Sequence, residues 1–183
     1  MAAAAAVRYL GVENETIRGG LKKIRIPGRM ELAAAWRDGM VFVDYAHTPD
    51  ALDNVLKSIK SFVKGKIITV FGCGGNREKE KRPIMGQISQ KYSDLTIITS
   101  DNPRYENPEN IIKDILEGID RSKDDYLIIE DRKEAIRESI YRARKGDIIL
   151  IAGKGHENYQ IVNDNIFEFD DKQVAKEIIN EMN

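Results

Sequence analysis

The chain has one cysteine, Cys73, and two histidines, His47 and His156. An internal disulfide is therefore impossible, and a reducing, cytoplasmic setting is expected. Two histidines without a cysteine cluster argue against a zinc site, and no metal-ligand set is expected here. No apolar run approaches the roughly 20 residues that span a bilayer, so no membrane partner is expected. A dominant charge is missing as well. Lys and Arg number 29 against 30 Asp and Glu, a net charge of -1, which gives no basic field for nucleic acid. No Ser-His-Asp grouping stands out. Neither the Gly-Lys-Ser/Thr ending of a P-loop nor a G-x-G-x-x-G string is present.

What remains is the composition of a globular protein. Hydrophobic residues make up 42% of the 183 and charged residues 32%, which suits one domain with a core, or one domain plus a piece of another. The alanine-rich start lacks the charged leader of a signal peptide, and Arg8 interrupts it. It reads as a helix running to about Leu10 and ended by Gly11, with a second helix over Asn14 to Lys23. Pro27-Gly28 marks a turn. "ELAAAW" and "MVFVDYA" flank Arg37-Asp38-Gly39, a hairpin signal.

Further along, strands and helices alternate. Thr48 and Pro49 open a helix whose apolar face is Leu52, Val55, Leu56, Ile59 and Phe62. "KIITVFG", "LTIITS", "YLIIE" and "DIILIAG" read as strands, and "EKRPIMGQISQKY" as mainly helix. Asn107 caps a helix presenting Ile111, Ile112, Ile115 and Ile119. Asp131 and Glu134 resemble a capping box for a helix through Arg144, stopped by Gly146. "YQIV" and "IFEF" form a hairpin around Asn163-Asp164-Asn165, before a last helix with Val174, Ala175, Ile178 and Ile179 inward. This order predicts a Rossmann-like α/β fold: a mostly parallel sheet, helices on both faces, and a hairpin near the C-terminus.

In such sheets ligands bind at the carboxyl ends of the strands. The segments that follow the strands are "DYAHTP", "GCGGNREKEKRP", "SDNPR", "EDR" and "AGKGHE". The glycines of the second let the backbone turn sharply and approach a ligand, with Arg77 aimed into the crevice. A solvated charged loop accounts equally well for Glu78 to Arg82. Lys154 between two glycines hints at phosphate. His156 alone is more often structural, and Cys73 reads as a small buried residue. Asp44 and His47 stand at the mouth of the first parallel strand. A turn explains Asp, Asn and Pro in "DNPR" but not its arginine. Arginines grip carboxylates in bidentate fashion, and carboxylates accept from ammonium. A crevice with Arg77, Asp101, Asn102, Arg104 and Glu157 suits a small zwitterion.

"GRME", "DYAHTPDAL", "VFGCGGNREKEKRPIMG", "DNPR" and "AGKGHENYQI", in this order, resemble the C-terminal part of a Mur ligase, over nearly the whole chain. Within the family, "DNPR" is similar to members that add meso-diaminopimelate. The resemblance implies ATP-dependent amide formation in peptidoglycan precursor synthesis, with magnesium, between meso-diaminopimelate and UDP-N-acetylmuramoyl-L-alanyl-D-glutamate. It implies diaminopimelate contacts at Arg77, Asp101, Asn102, Pro103, Arg104, Gly153 and Glu157, and ATP contacts at Arg29, Asp44 and His47. Residues 1–32 are then expected to be the last helices of a central ATP-binding domain. Residues 33–183 are expected to be the amino-acid-binding ligase domain, acting as a monomer. Without a P-loop this stretch is expected to be silent alone. A lysine-adding synthetase, a folylpolyglutamate- or cyanophycin-type ligase, and a non-catalytic binding module are the alternatives.

Overall fold

A computed structural model describes residues 2–23, 26–36 and 39–182. Two short helices come first, α1 (Ala2–Tyr9) and α2 (Asn14–Lys23), with Gly11 at φ +85° between them. The strands β1 (Glu31–Trp36) and β2 (Gly39–Asp44) pair antiparallel; the turn foreseen at Arg37 and Asp38 lies outside the described residues. Thereafter α3 (Pro49–Lys60), β3 (Ile67–Phe71), α4 (Lys81–Tyr92), β4 (Leu95–Ile98), α5 (Pro108–Leu116), β5 (Tyr126–Ile128), α6 (Arg132–Arg142) and β6 (Ile148–Ala152) alternate. The hairpin β7 (Tyr159–Val162) and β8 (Asn165–Glu168) precedes α7 (Asp171–Glu181).

The six-stranded sheet runs β1-β2-β6-β3-β4-β5, parallel except for the β1 edge. Its faces follow from the pleat, since alternate residues of one strand point to opposite sides. Ile148, Leu150 and Ala152 pack with α3, α4 and α5, while Ile149 and Ile151 pack with α6 and α7. The helix starts obey their caps. Thr48 Oγ1 accepts from Ala51 N at 3.3 Å, Asn107 Oδ1 from Glu109 N at 2.9 Å, and Asp131 Oδ1 from Glu134 N at 2.9 Å.

Register sets where function can sit. Asp44 aligns with Ala152, Ala152 with Phe71, Phe71 with Ile98, and Ile98 with Ile128. Five segments therefore leave the sheet at one edge.

Three details differ from the sequence reading. The expected boundary at 32/33 falls inside β1, whose pairing starts at Glu31. Phe62 lies beyond α3 and is 45% exposed, meeting Phe42 edge-on at 6.5 Å. α6 stops at Arg142 rather than Arg144, and its box is half formed, because Glu134 reaches forward to Arg137 Nε.

Beneath the site edge, Arg132 is fully buried. Its Nε and Nη2 donate to the two Asp171 oxygens at 2.8 and 2.7 Å, and Nη2 also donates to Ala152 O at 3.1 Å. Removing one member of such a pair leaves a buried charge unpaired. Asp171→Ala should lower unfolding stability by about 3–5 kcal/mol. The double change Arg132→Met with Asp171→Leu should recover most of it; urea unfolding midpoints read both.

Candidate functional site

A cleft of ≈ 580 Å³ opens at the carboxyl edge, within the range of small-ligand sites. The β2–α3 segment contributes Tyr45 and His47, the β3–α4 loop contributes Gly74 and Arg77, the start of α4 contributes Lys81, and "DNPR" contributes Asp101, Asn102 and Arg104. Gly153, Glu157 and Tyr159 come from the segment after β6.

The β3 and β4 loops are fastened to each other. Gly75 N donates to Asn102 O at 2.9 Å, and Arg104 Nη1 donates back to Gly75 O at 2.9 Å. A Cβ on Gly74 would stand 2.8 Å from Arg104 Nη1 and 3.8 Å from Arg77 Cγ. The missing side chain thus leaves room for the Arg104 guanidinium. Arg77 itself is exposed at the rim, with Nη1 to Asn76 O at 3.5 Å.

Arg104 has φ +52°, the left-handed region that L residues seldom adopt. The β7–β8 hairpin holds it there: Arg104 N donates to Ile161 O at 3.0 Å and Asn163 N to Arg104 O at 2.7 Å. Gln160 Nε2 adds a bond to Asp101 O at 2.7 Å.

The cleft also has acidic lining. Glu157 Oε2 accepts from Asn102 Nδ2 at 3.0 Å. Asp101 is nearly buried, and its Oδ2 lies 3.8 Å from Arg132 Nη1. A Cβ on Gly153 would sit 2.7 Å from the same Oδ2, and Gly153 has φ +118°, so only glycine fits there. Pro103 is buried and does not line the cleft.

The residues expected toward ATP separate. Arg29 and His47 gather on the Tyr45 ring: the Arg29 guanidinium is 4.8 Å from its centroid and His47 meets it at 4.5 Å, with His156 at 5.5 Å. Asp44 lies behind them, buried, its oxygens accepting from Met30 N at 2.6 Å and Ala46 N at 2.8 Å. In this conformation its carboxylate holds the turn that carries Arg29. Burial and the neighbouring Glu157 carboxylate push the Tyr45 hydroxyl pKa up, so the residue whose ring meets Arg29 also meets Glu157. Among the described residues, no group of three or more His, Cys, Asp or Glu side chains is placed to hold a metal.

Two residues were misjudged from the sequence. Arg82, grouped there with a solvated loop, is fully buried. Its Nη1 donates to Glu106 at 2.9 Å and Asp114 at 2.7 Å, and its Nη2 to Glu106 at 3.0 Å and Gly74 O at 3.3 Å. Lys154, taken as a phosphate hint, is also fully buried and points to protein oxygens. Cys73 is buried as expected, its thiol pushed up to about 12 by burial.

Comparison with known proteins gives concordant results. The family described as Mur ligase, glutamate ligase domain, matches residues 28–155. A UDP-N-acetylmuramoyl-L-alanyl-D-glutamate--2,6-diaminopimelate ligase of Clostridioides difficile (strain 630) is 54% identical over 183 residues, 100% of this chain and 38% of the relative. The protein of that name from Aquifex aeolicus (strain VF5) is 50% identical over 178 residues, 97% of this chain and 36% of the relative. A solved structure of a ligase of that name has TM-score 0.82 at 42% identity, covering 98% of this chain and 37% of the other. A UDP-N-acetylmuramate-alanine ligase from Thermotoga maritima shares the fold, with TM-score 0.68 at 18% identity, over 97% of this chain and 35% of the other. The chain thus spans under two-fifths of the relatives' length.

Glu106 offers a direct check on the loop fastening. Bonds from Arg82, then the Asn76 backbone amide, hold its carboxyl at about 2 against an ordinary 4.5. A depressed carboxylate stabilises the fold fully above its unfolded value and loses that stabilisation as pH falls through the folded one. Glu106→Gln should cost about 3 kcal/mol near neutrality, and the deficit should shrink from pH about 4.5 to about 2. Urea unfolding across that window measures it.

Proposed function

The chain belongs to the Mur ligase family, and we propose that it binds the incoming amino acid for an ATP-dependent ligase of peptidoglycan precursor synthesis. The amino acid is meso-diaminopimelate, and the acceptor is UDP-N-acetylmuramoyl-L-alanyl-D-glutamate. The names of its relatives support this reading. The observation that carries it is the convergence of Arg77, Arg104, Asp101 and Glu157 on one cleft.

Diaminopimelate has an ammonium and a carboxylate at each end. Lysine lacks the carboxylate at the distal carbon. Arg104 takes that carboxylate, Arg77 reaches over the rim to it, and Asp101 and Glu157 receive ammonium from the same end, with Asn102 Nδ2 steadying Glu157. Gly153 lets Asp101 approach, and Pro103 fixes its own φ and restrains Asn102, which steadies the arginine. Holding one end this way leaves the other amine free to face the acceptor carboxylate. With lysine in place, the guanidinium would lose its partner in a partly dry site. Sites built for a polar group reject the analogue lacking it by as much as ~10⁴–10⁵.

ATP supplies the phosphoryl group that activates the acceptor carboxylate. Toward it this chain offers Arg29 and His47 around Tyr45, with Asp44 holding the turn beneath. The magnesium belongs with donors outside this group, and residues before β1 belong with the nucleotide-binding part. We propose a monomer without nucleic-acid or membrane partners.

Calorimetry on the intact chain tests the proposal. Binding of meso-diaminopimelate with far weaker binding of lysine is expected, and Arg104→Ala should erase most of the difference. Equal affinity for the two amino acids would point to another substrate, and binding of neither would sink the proposal.

A further inference from the structure

Lys154 is fully buried, yet no charge of a ligand is needed to explain where it points. Its ammonium donates to Tyr159 O, at the first residue of β7, and to Asn102 Oδ1 at 3.4 Å. It lies 3.9 Å from Glu157 Oε2 and 5.4 Å from the Tyr159 ring centroid. Asn102 Oδ1 accepts a second bond, from Ile161 N at 2.9 Å. With two donors on its oxygen, the amide of Asn102 cannot turn over, and its Nδ2 must face Glu157. One ammonium thus joins the segment after β6, the "DNPR" segment and the hairpin that holds Arg104.

We propose that Lys154 is a positioning residue for the amino-acid site, acting through Asn102 and Glu157. The inference deepens the function proposed above and rests on it. It also reverses the sign that charge alone would give. A cation beside Glu157 opposes an incoming ammonium, so deleting the charge by itself would tighten binding. Deleting a positioning device weakens it. Methionine has nearly the length of lysine without donor or charge, so Lys154→Met separates the two. It leaves Tyr159 O without this donor and Asn102 Oδ1 with only Ile161 N. A buried acceptor stripped of its partner costs enough to shift an equilibrium by about tenfold or more.

The test uses the intact chain labelled with ¹⁵N, unchanged and as Lys154→Met, well below either unfolding temperature. Calorimetry with meso-diaminopimelate should show the dissociation constant rising about tenfold or more in the variant. The Asn102 side-chain amide pair should shift between the two proteins. An equal or tighter dissociation constant overturns the proposal, and so does an unmoved Asn102 signal. A purely structural lysine would lower the melting temperature and leave binding alone. If the variant does not fold, the Lys154 ammonium resonance of the unchanged chain decides. Movement on addition of meso-diaminopimelate supports the role, and an unmoved signal rejects it. If the unchanged chain binds no meso-diaminopimelate, the functional reading falls by itself. The Asn102 shift then judges the link to Lys154 alone.

Discussion

The Arg132 guanidinium is buried where the strands end, and the site edge is built upon it. It meets Asp171 at the start of α7, Ala152 O at the end of β6 and Ser100 O just past β4, with Asp101 nearby. Such a group is expensive to take from water, and only a dense set of acceptors makes it tolerable. The set found here joins the end of β6, the segment after β4 and the start of α7. Moving any of them apart would leave the charge short of partners. The segments after β4 and β6 and the start of α7 are therefore tied together by one side chain that does not line the cleft.

Above that floor, the cleft carries both signs of charge. Arg77 on the glycine-rich β3–α4 loop and Arg104 on the "DNPR" segment line it together with Asp101 and Glu157. Tyr45 stands between this amino-acid side and the cluster of Arg29, His47 and His156. One aromatic ring is in touch with both halves of the proposed chemistry, which suits a ligase that must bring an activated acid and an amine together.

Much of this was legible in the sequence, because much of it is local. Apolar strings, Thr48, Asn107 and Asp131 at helix starts, and the glycines and prolines of turns act within a few residues of themselves. Apart from Arg29, which precedes β1, the candidate residues sit in segments that follow strands, and parallel register collects those segments. What escaped was long-range. Arg82 finds Glu106 and Asp114 across 24 and 32 residues, and no local pattern tells a buried arginine from a solvated one. Lys154 between glycines looks the same whether it faces phosphate or turns inward. The carboxylate of Asp44 met Met30, 14 residues back, through a turn whose path no periodicity announces. Phe62 fell in step with a helical stripe, yet the helix had already ended.

The left-handed backbone at Arg104 limits how this loop can change. A branched side chain such as valine or threonine would strain the main chain there, quite apart from losing the guanidinium. Glycine, asparagine and aspartate tolerate that conformation. A descendant of this sequence that gives up the proposed contact to a distal carboxylate therefore has a narrow set of exits, chosen by the peptide torsion before any pocket chemistry is weighed.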